Sequence, residues 1–298
     1  MKSLARLTRG VLLAQARETL VDAGVPSPEA DAERLLLHAL GISRARLWSD
    51  RAQAIGDEDL AKFARLLEAR VRRVPLQHLL GEVEFHAAVI EVEPGVFIPR
   101  PETERLVEVV LEEVASESGS APEEGNLIDL GTGTGAIPIA LLLSLPEGWT
   151  AGALDRSERA IALASRNARR NGVARRLALH RGDFRDPPAH GLHAPADVLV
   201  SNPPYIPTGL IPGLMPEVRD HDPREALDGG SDGLDGFRAL ADALPSWLKS
   251  GGLLAVEIGD DQADPCMELF GPHLVGARIM RDLTGLPRIL TGTRRGSR

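Results

Sequence analysis

Cysteine, aromatic residues and long apolar runs are scarce in this sequence. Cys266 is the one cysteine among 298 residues, which excludes an internal disulfide framework and a cluster of thiolate metal ligands and suits a reducing cytoplasm. No segment approaches the roughly 18 consecutive apolar residues that a membrane helix needs. The sequence therefore predicts no membrane span, and its 43% hydrophobic and 26% charged residues are typical of a globular protein.

An excess of positive charge is also lacking. The formal net charge is −9 and the sequence pI is about 5.5, whereas proteins that bind duplex nucleic acid usually present a broad basic surface. Arginines cluster in residues 70–73 and 166–176, where solvated helix faces are the preferred interpretation over a local basic patch. Nucleic acid is therefore not an expected direct partner.

A change of periodicity divides the chain. Residues 1–75 carry helical spacing of apolar positions, and Ser27-Pro28-Glu29 has the order of a helix start, with a capping hydroxyl, a proline and an acid. Residues 76–100 alternate as extended chain does, which predicts a β-hairpin linker. We therefore expect a helical substrate-recognition domain at 1–75 and a catalytic domain at 101–298.

Strands and helices alternate through the second part of the chain. This order is typical of right-handed βαβ units that build a parallel sheet with helices on both faces, so the predicted fold is α/β with a Rossmann-like sheet. Two late segments that flank Gly285 predict a closing antiparallel strand. The expected strands are residues 126–130, 152–155, 178–180, 197–201, 252–258, 276–280 and 287–291.

A glycine-rich turn follows the first of these strands. Its residues are Asp129, Leu130, Gly131, Thr132, Gly133, Thr134 and Gly135. Glycines there permit a tight turn and close approach of the backbone to a nucleotide-type cofactor. Dinucleotide sites use a related pattern. Asp129 before the glycines, together with Asp155 at the end of the next strand, resembles the arrangement in methyltransferases, whose ligand S-adenosyl-L-methionine carries a cationic sulfonium and an ammonium in place of a pyrophosphate.

Further residues continue this predicted cofactor site. Asp155 lies 24 positions after Gly131, where an acid would accept hydrogen bonds from both ribose hydroxyls; the alternative is a cap on the helix that starts near Ser157. Asp183 and Phe184 follow the strand at 178–180, where the carboxylate could accept from the adenine amino group and the ring could stack on the base. Taken alone, a plain loop pair explains these two residues nearly as well.

The tetrapeptide Asn202-Pro203-Pro204-Tyr205 ends the strand predicted at 197–201, on the sheet edge where open α/β proteins bind ligands. Two prolines fix φ and remove backbone donors, which gives a stiff loop with free carbonyls. The Asn202 side-chain oxygen and the Pro203 carbonyl would hold the two N–H bonds of a planar amide or amine nitrogen beside the methyl donor. Asn202 would also contact the cofactor, and Tyr205 would form a packing wall. A proline-stiffened turn without function is the alternative.

Metal chemistry is not expected. His190 and His193 are spaced like possible ligands, but they lie in a loop that contains proline and glycine, without nearby cysteines or a helical frame. A surface loop is therefore the preferred interpretation.

Several motifs together resemble the release factor glutamine methyltransferases, the PrmC/HemK family, within the Rossmann-like class of methyltransferases. The resemblance is strong from about residue 75 to residue 298 and weaker in the helical start. It rests on residues 75–81 (PLQHLLG), 84–85 (EF), 97–104 (FIPRPETE), the glycine turn, 201–206 (SNPPYI), 216–220 (PEVRD), 223–227 (PREAL), 229–230 (GG) and 232–235 (DGLD). His221 and Asp222 depart from the family pattern, which would have an aromatic residue and a glutamate there, and the loop at 116–125 looks long.

The resemblance implies methyl transfer from S-adenosyl-L-methionine to the side-chain amide nitrogen, N5, of the glutamine in the Gly-Gly-Gln motif of class 1 peptide chain release factors. The products would be methylated release factor and S-adenosyl-L-homocysteine. The resemblance also implies cofactor contacts at residues 131–135, 155 and 184, a glutamine held by residues 202–205, and a helical domain that helps to grip the release factor. We expect a cytoplasmic monomer.

Two other functions fit part of the pattern. Adenine-N6 methyltransferases of DNA or RNA use a similar N/D-P-P-Y/F/W loop because an exocyclic amine is also planar and conjugated, and their target base is flipped out. The acidic net charge and the absence of a recognisable nucleic-acid-binding module argue against them. A catalytically silent binding module is disfavoured because the cofactor and acceptor motifs are complete.

Overall fold

The computed structural model describes residues 7–115, 119–186, 192 and 194–296. In this part of the chain the α-helices are α1 (Arg9–Asp22), α2 (Pro28–Leu40), α3 (Arg44–Ser49), α4 (Asp57–Val71), α5 (Leu76–Leu80), α6 (Glu104–Ala115), α7 (Ala136–Ser144), α8 (Glu158–Arg170), α9 (Pro216–Arg219), α10 (Asp235–Trp247) and α11 (Ala263–Phe270). The β-strands are β1 (Glu82–Phe85), β2 (Ala88–Glu91), β3 (Glu124–Leu130), β4 (Gly148–Asp155), β5 (Leu177–Arg181), β6 (Ala196–Ser201), β7 (Leu248–Glu257), β8 (Leu274–Arg281) and β9 (Pro287–Arg294). None of these helices is both long and apolar enough to span a bilayer.

The chain forms two compact units. One contains the residues up to Gly81 together with Met215–His221, and the other contains Glu82–Leu214 and Asp222–Arg298. The antiparallel hairpin of β1 and β2 is shorter than the linker expected at 76–100, because residues 76–80 form α5. Leu76, Leu79 and Leu80 have the i, i+3, i+4 spacing of a helix face, which the expectation of extended chain overlooked.

The helical unit is built around apolar faces of α1, α2 and α4. Leu20, Leu35, Leu36 and Phe63 are all at most 1% exposed in its core. Proline stands at the first turn of α2 as expected, but the preceding Ser27 makes no capping hydrogen bond with its side chain.

A buried ion-pair network ties α9 into this unit. The Arg70 guanidinium lies 2.7 Å from Asp31 Oδ2 and 2.7 Å from Glu217 Oε1, and Arg73 Nη2 lies 2.6 Å from Glu217 Oε2. Arg70 is only 4% exposed, so the expectation of a solvated arginine face is wrong at this position. Burial raises the pKa of Glu217, but hydrogen bonds from Arg73 and Arg70 outweigh this effect and lower the pKa to about 2.

The second unit contains a seven-stranded sheet, as far as the described residues define it, in the order β5-β4-β3-β6-β7-β9-β8. Neighbours from β5 to β7 pair in parallel, whereas β9 is antiparallel to both β7 and β8. The predicted α/β class, the Rossmann-like sheet and the closing antiparallel strand are confirmed. β3 begins at Glu124, so the loop expected at 116–125 is shorter than its composition suggested, and its residues 116–118 lie outside the described part.

Helices cover both faces of this sheet. One apolar cluster includes α6, α7 and α8 with alternate residues of β3 such as Leu127, and the other includes α10 and α11 with Ile128. The register places Leu130 opposite both Leu154 and Ser201, and Ser201 opposite Val256. The loops that follow β3, β4, β6 and β7 therefore leave the sheet at one edge.

The network in the helical unit gives the first prediction. Replacing Glu217 by alanine should lower the free energy of unfolding by about 2–3 kcal/mol, because two largely buried guanidinium groups lose a shared carboxylate. Urea denaturation followed by circular dichroism measures this change.

Glu68→Ala is the matched control. Glu68 pairs with Arg72 on the exposed surface of α4, with side chains 70% and 60% exposed, and its loss should cost less than about 0.5 kcal/mol. Equal destabilisation by the two variants would contradict a structural role of the buried network.

Candidate active site

The glycine turn between β3 and α7 is open toward solvent on one side. Gly131 and Gly133 have φ values of +83° and +56°, and a Cβ atom added at either would meet no atom within 4 Å. The Gly131 amide donates to the Leu154 carbonyl at 2.9 Å. A Cβ on Gly135, by contrast, would lie 3.0 Å from Ala164 Cβ in α8. Two glycines thus leave room for a ligand, and the third allows close packing of a helix.

Asp155 ties this turn to the end of β4. Its Oδ2 accepts a hydrogen bond from the Gly133 amide and its Oδ1 accepts one from the Ser157 amide, both at 2.8 Å. The helix cap itself is Ser157, whose hydroxyl accepts from the Ala160 amide. Asp155 therefore lies beside the glycine turn where the sequence placed it, and its contact with a ribose stays a prediction.

Asp129 is the most unusual group of the turn. It is fully buried, and neither carboxylate oxygen receives a hydrogen bond of good geometry from a described residue. Burial raises its pKa to about 7, and the charge of Asp155 adds to this shift, although the nearby Thr132 hydroxyl opposes it. Thr132 Oγ1 is also buried without a hydrogen-bond partner among the described residues. Unpaired buried oxygens at a glycine turn fit a ligand that carries positive charge.

Thr134 and the residues that follow β5 are engaged within the protein. Thr134 is 3% exposed, and its carbonyl accepts from Asn167 Nδ2 at 3.0 Å. The Asp183 carboxylate accepts from Arg185, at 3.0 Å from its amide and 2.9 Å from its Nε, which lowers the pKa of Asp183 to about 2. Phe184 packs partly buried on the apolar cluster of α10 and α11. The adenine contacts of Asp183 and Phe184 stay predictions.

The Asn202-Pro203-Pro204-Tyr205 loop is held in place by its neighbours. Ser201 Oγ donates to the Leu130 carbonyl at 2.7 Å, which joins the loop to the end of β3. Gln262 is 5% exposed; its Nε2 donates to the Tyr205 carbonyl at 3.0 Å and its Oε1 accepts from the Gly259 amide at 2.9 Å. The loop is therefore fixed from both sides before any substrate arrives.

The Asn202 amide has a defined orientation. Its Nδ2 donates to Thr103 Oγ1 at 3.2 Å. No donor among the described residues reaches Asn202 Oδ1, and the side chain is half-buried at the carboxyl edge of the sheet. The amide thus presents an acceptor, rather than a donor, for a ligand.

Sequence reasoning missed several residues of this region. Tyr205 is more than a packing wall, because its hydroxyl donates to Glu257 Oε1 at 3.3 Å. Glu257 is 2% exposed at the end of β7, and burial raises its pKa to about 7. Asp222, at a position that departs from the family pattern, is a buried partner of Arg100, whose guanidinium lies 5.0 Å from the centre of the Phe97 ring. The available signal for Glu257 was an acid one residue before the end of the apolar strand predicted at 252–258. No sequence signal pointed to Asp222.

Within the described residues, no three His, Cys, Asp or Glu side chains are grouped so that they could hold a metal ion. His190 and His193 lie outside those residues.

The sheet with one reversed strand, the glycine turn after β3 and the acids around it define a class I S-adenosylmethionine-dependent methyltransferase. A family model described as "Methyltransferase small domain" matches residues 89–209, and one described as "PrmC N-terminal domain" matches residues 11–81. Among solved structures, the hMettl16 catalytic domain in complex with the MAT2A 3'UTR hairpin 6 has a TM-score of 0.52 and 15% identity, covering 70% of this chain and 76% of that one. That likeness concerns the fold alone.

Curated relatives identify the family. The "Release factor glutamine methyltransferase" of Geobacter sulfurreducens is 39% identical over 93% of this chain and 93% of its own length. Proteins of the same name from Caulobacter vibrioides and Mycobacterium tuberculosis are 39% and 38% identical, covering 94% of this chain and 94% and 90% of their own lengths. The chain belongs to the release factor glutamine methyltransferase family, and the resemblance drawn from its motifs is confirmed.

Asp129 gives the second prediction. An unfolded aspartate ionises near pH 3.8, whereas folded Asp129 keeps its proton to about pH 7, so this group should make the ligand-free protein less stable as pH rises from about 4 to about 7. Asp129→Asn should therefore raise the free energy of unfolding at pH 8 by about 1–2 kcal/mol, while the dissociation constant of S-adenosyl-L-methionine rises at least about tenfold through loss of a charged partner.

Thermal melts at pH 5 and pH 8, with calorimetry of cofactor binding, measure both effects. Asp264→Asn, an exposed aspartate of α11, is the control and should change neither. A variant at Asp129 that is destabilised at pH 8, or that binds the cofactor as wild type does, would contradict the assignment.

Proposed function

We propose that this protein transfers a methyl group from S-adenosyl-L-methionine to the N5 atom of the glutamine in the Gly-Gly-Gln motif of class 1 peptide chain release factors. The observation that carries the proposal is the orientation of Asn202, whose Nδ2 is occupied by Thr103 while Oδ1 stays available as an acceptor. The relatives' shared name supplies the substrate class.

The acceptor chemistry explains why such an oxygen is needed. An amide nitrogen is planar and a poor nucleophile, because its lone pair is delocalised into the carbonyl. Asn202 Oδ1 and the Pro203 carbonyl would each accept one N–H of the glutamine amide, turn the nitrogen toward the methyl group and stabilise the positive charge that develops on it. Positioning and preorganised dipoles of this kind can lower a barrier by several kcal/mol. Pro204 would keep the loop rigid, and Tyr205, held by Glu257, would form its wall.

The residues of the glycine turn fit the cofactor. Gly131 and Gly133 have open space beside them, and Asp129 offers unpaired carboxylate oxygens to a cationic ligand. We assign cofactor contacts to Asp129, Gly131, Thr132, Gly133, Thr134, Gly135, Asp155, Asp183, Phe184 and Asn202. When bound, S-adenosyl-L-methionine supplies an electrophilic methyl group on a sulfonium. Transfer of that methyl group from sulfur to the glutamine nitrogen would leave S-adenosyl-L-homocysteine and release one N–H proton to water.

A protein acceptor is favoured over a nucleic acid by the charges. The net charge is −9, and arginines of both clusters are neutralised by acids: Arg70 and Arg73 by Glu217, and Arg166 by Glu91 and Glu93. Arginine side chains that are already paired with acids offer little positive charge to a phosphate backbone.

We further propose that the protein acts as a cytoplasmic monomer without a metal, and that its helical unit helps to bind the release factor.

Transfer of a labelled methyl group tests the proposal. Purified class 1 release factor, the same factor with its Gly-Gly-Gln glutamine changed to alanine, and double-stranded DNA are incubated in parallel with the enzyme and labelled S-adenosyl-L-methionine. We expect label on the wild-type release factor alone, because only its glutamine offers the planar amide that the loop can hold.

Asn202→Ala should reduce transfer by at least about a hundredfold, as loss of an oriented acceptor does, and should leave cofactor binding within a few-fold. Asn171→Ala, which removes the half-buried asparagine at the C-terminal end of α8, should keep wild-type activity. Label on DNA alone, or full activity of Asn202→Ala, would overturn the proposal.

A further inference from the structure

The glycine segment, residues 229–233 (GGSDG), runs beside the Asn202-Pro203-Pro204-Tyr205 loop, which is the acceptor loop of the proposed function. The Ile206 amide, directly after the loop, donates to the Leu227 carbonyl at 2.9 Å, and the Ile206 carbonyl accepts from the Gly229 amide at 2.9 Å. Ile206 and Asp228 are partners in a parallel bridge. The glycine segment therefore continues from a pairing that lies where the acceptor loop ends.

Two glycines of this segment are packed against successive residues of the acceptor loop. A Cβ atom added at Gly229 would lie 2.8 Å from the Pro204 carbonyl oxygen, and one added at Gly233 would lie 2.4 Å from the Tyr205 carbonyl oxygen. Gly233 also has a φ of +77°. Glycine is needed at both positions because no side chain fits between the two backbones.

The Gln262 side chain completes this contact. Its Nε2 donates to the Tyr205 carbonyl at 3.0 Å and to the Gly233 carbonyl at 3.2 Å, and its Oε1 accepts from the Gly259 amide at 2.9 Å. A side-chain amide has two N–H donors, so both are used here. The reversed amide would set its oxygen against two carbonyl oxygens, which means that the orientation of Gln262 is fixed.

These contacts separate the carbonyl groups of the acceptor loop into two kinds. The Tyr205 carbonyl is occupied by Gln262, and the Pro204 carbonyl is covered by the Gly229 backbone. No donor in the described part of the chain reaches the Pro203 carbonyl. The protein thus engages the last two carbonyls of the loop and leaves the Pro203 oxygen available to a ligand.

We propose that Gly229, Gly233 and Gln262 are positioning residues, which hold the acceptor loop so that the Pro203 carbonyl faces the substrate amide beside Asn202. This inference rests on the proposed function and deepens it, because it assigns the placement of the acceptor oxygens to residues outside the tetrapeptide. A loop displaced by about 1 Å would no longer hold the glutamine nitrogen in line with the methyl group, and such a misplacement can lower a rate about a hundredfold.

Gly233→Ala tests the steric part of the inference. The added methyl group would overlap the Tyr205 carbonyl oxygen, so the loop must shift. We expect kcat for methyl transfer to a class 1 release factor to fall about tenfold to a hundredfold, while the dissociation constant of S-adenosyl-L-methionine stays within a few-fold of the wild-type value.

Gly172→Ala is the matched control for this variant. Gly172 has a φ of +76°, but a Cβ atom added there would meet no atom within 4 Å. This variant carries the same backbone strain without a contact to the acceptor loop, and it should keep the wild-type kcat. Equal losses of kcat in Gly172→Ala and Gly233→Ala would overturn the inference.

Gln262→Met tests the hydrogen bonds without adding bulk. It should lower kcat about tenfold to a hundredfold and leave cofactor affinity within a few-fold. Trp149→Phe is its control, because the buried Trp149 indole donates to the Pro122 carbonyl at 2.8 Å at the start of β4. That variant also loses a buried hydrogen bond to a backbone carbonyl, yet it should keep the wild-type kcat. Wild-type kcat in Gln262→Met would contradict the proposed role.

A further readout needs no release factor. Tyr205 is the one tyrosine of the chain, so protein grown with ring-¹³C-labelled tyrosine gives NMR signals from the acceptor loop alone. We expect one set of ring signals in the ligand-free wild type and in both controls, and shifted or doubled signals in Gly233→Ala and Gln262→Met.

The two readouts distinguish the possible failures. Wild-type ring signals in both Gly233→Ala and Gln262→Met would reject the inference, whatever the substrate is. The expected changes of the ring signals, together with a wild-type enzyme that does not methylate the release factor, would support the placement of the loop and reject the proposed function alone.

Discussion

The register of the parallel strands is the constraint on which the site depends. Leu130, Leu154, Ser201 and Val256 are linked as register partners across β3, β4, β6 and β7, so the residues after these strands meet at one edge. This register brings together the glycine turn, Asp155, the Asn202 loop and Glu257, which are far apart in sequence. A slip of one residue in any strand would turn its side chains to the opposite face and separate the groups.

Two buried carboxyl groups stand at this edge, and burial raises the pKa of both Asp129 and Glu257 to about 7. Neither is a favourable contribution to the stability of the ligand-free protein, because each must ionise without full hydrogen bonding. Their roles nevertheless differ. Asp129 faces the glycine turn and suits a cationic ligand, whereas Glu257 ends β7 and accepts a hydrogen bond from the Tyr205 hydroxyl beside the acceptor loop. Buried carboxyl groups with shifted pKa values and incomplete hydrogen bonding are commonly found at functional sites.

Much of the molecule could be predicted from its sequence because local patterns carried the information. The alternation of strands and helices predicts the α/β class, and glycines and prolines with fixed conformational effects mark the two loops of the site.

The side-chain pairs that hold the site and the helical unit together could not be predicted, because they join residues that are far apart in sequence. Thr103 lies 99 residues before Asn202, Arg70 lies 147 residues from Glu217, and no periodicity links such pairs. Residues 76–80 form α5 rather than the expected extended chain, because five residues between Pro75 and Gly81 are too few for their pattern to distinguish a helical turn from a strand. The roles of individual residues toward cofactor and substrate stay predictions.

The most direct measurement is a crystal structure of the protein with S-adenosyl-L-homocysteine and a peptide that contains the Gly-Gly-Gln motif. We expect the glutamine Nε2 at about 3 Å from both Asn202 Oδ1 and the Pro203 carbonyl, with Asn202 Nδ2 still donating to Thr103 Oγ1. A glutamine amide bound elsewhere, or an Asn202 that turns its Nδ2 toward the substrate, would contradict it.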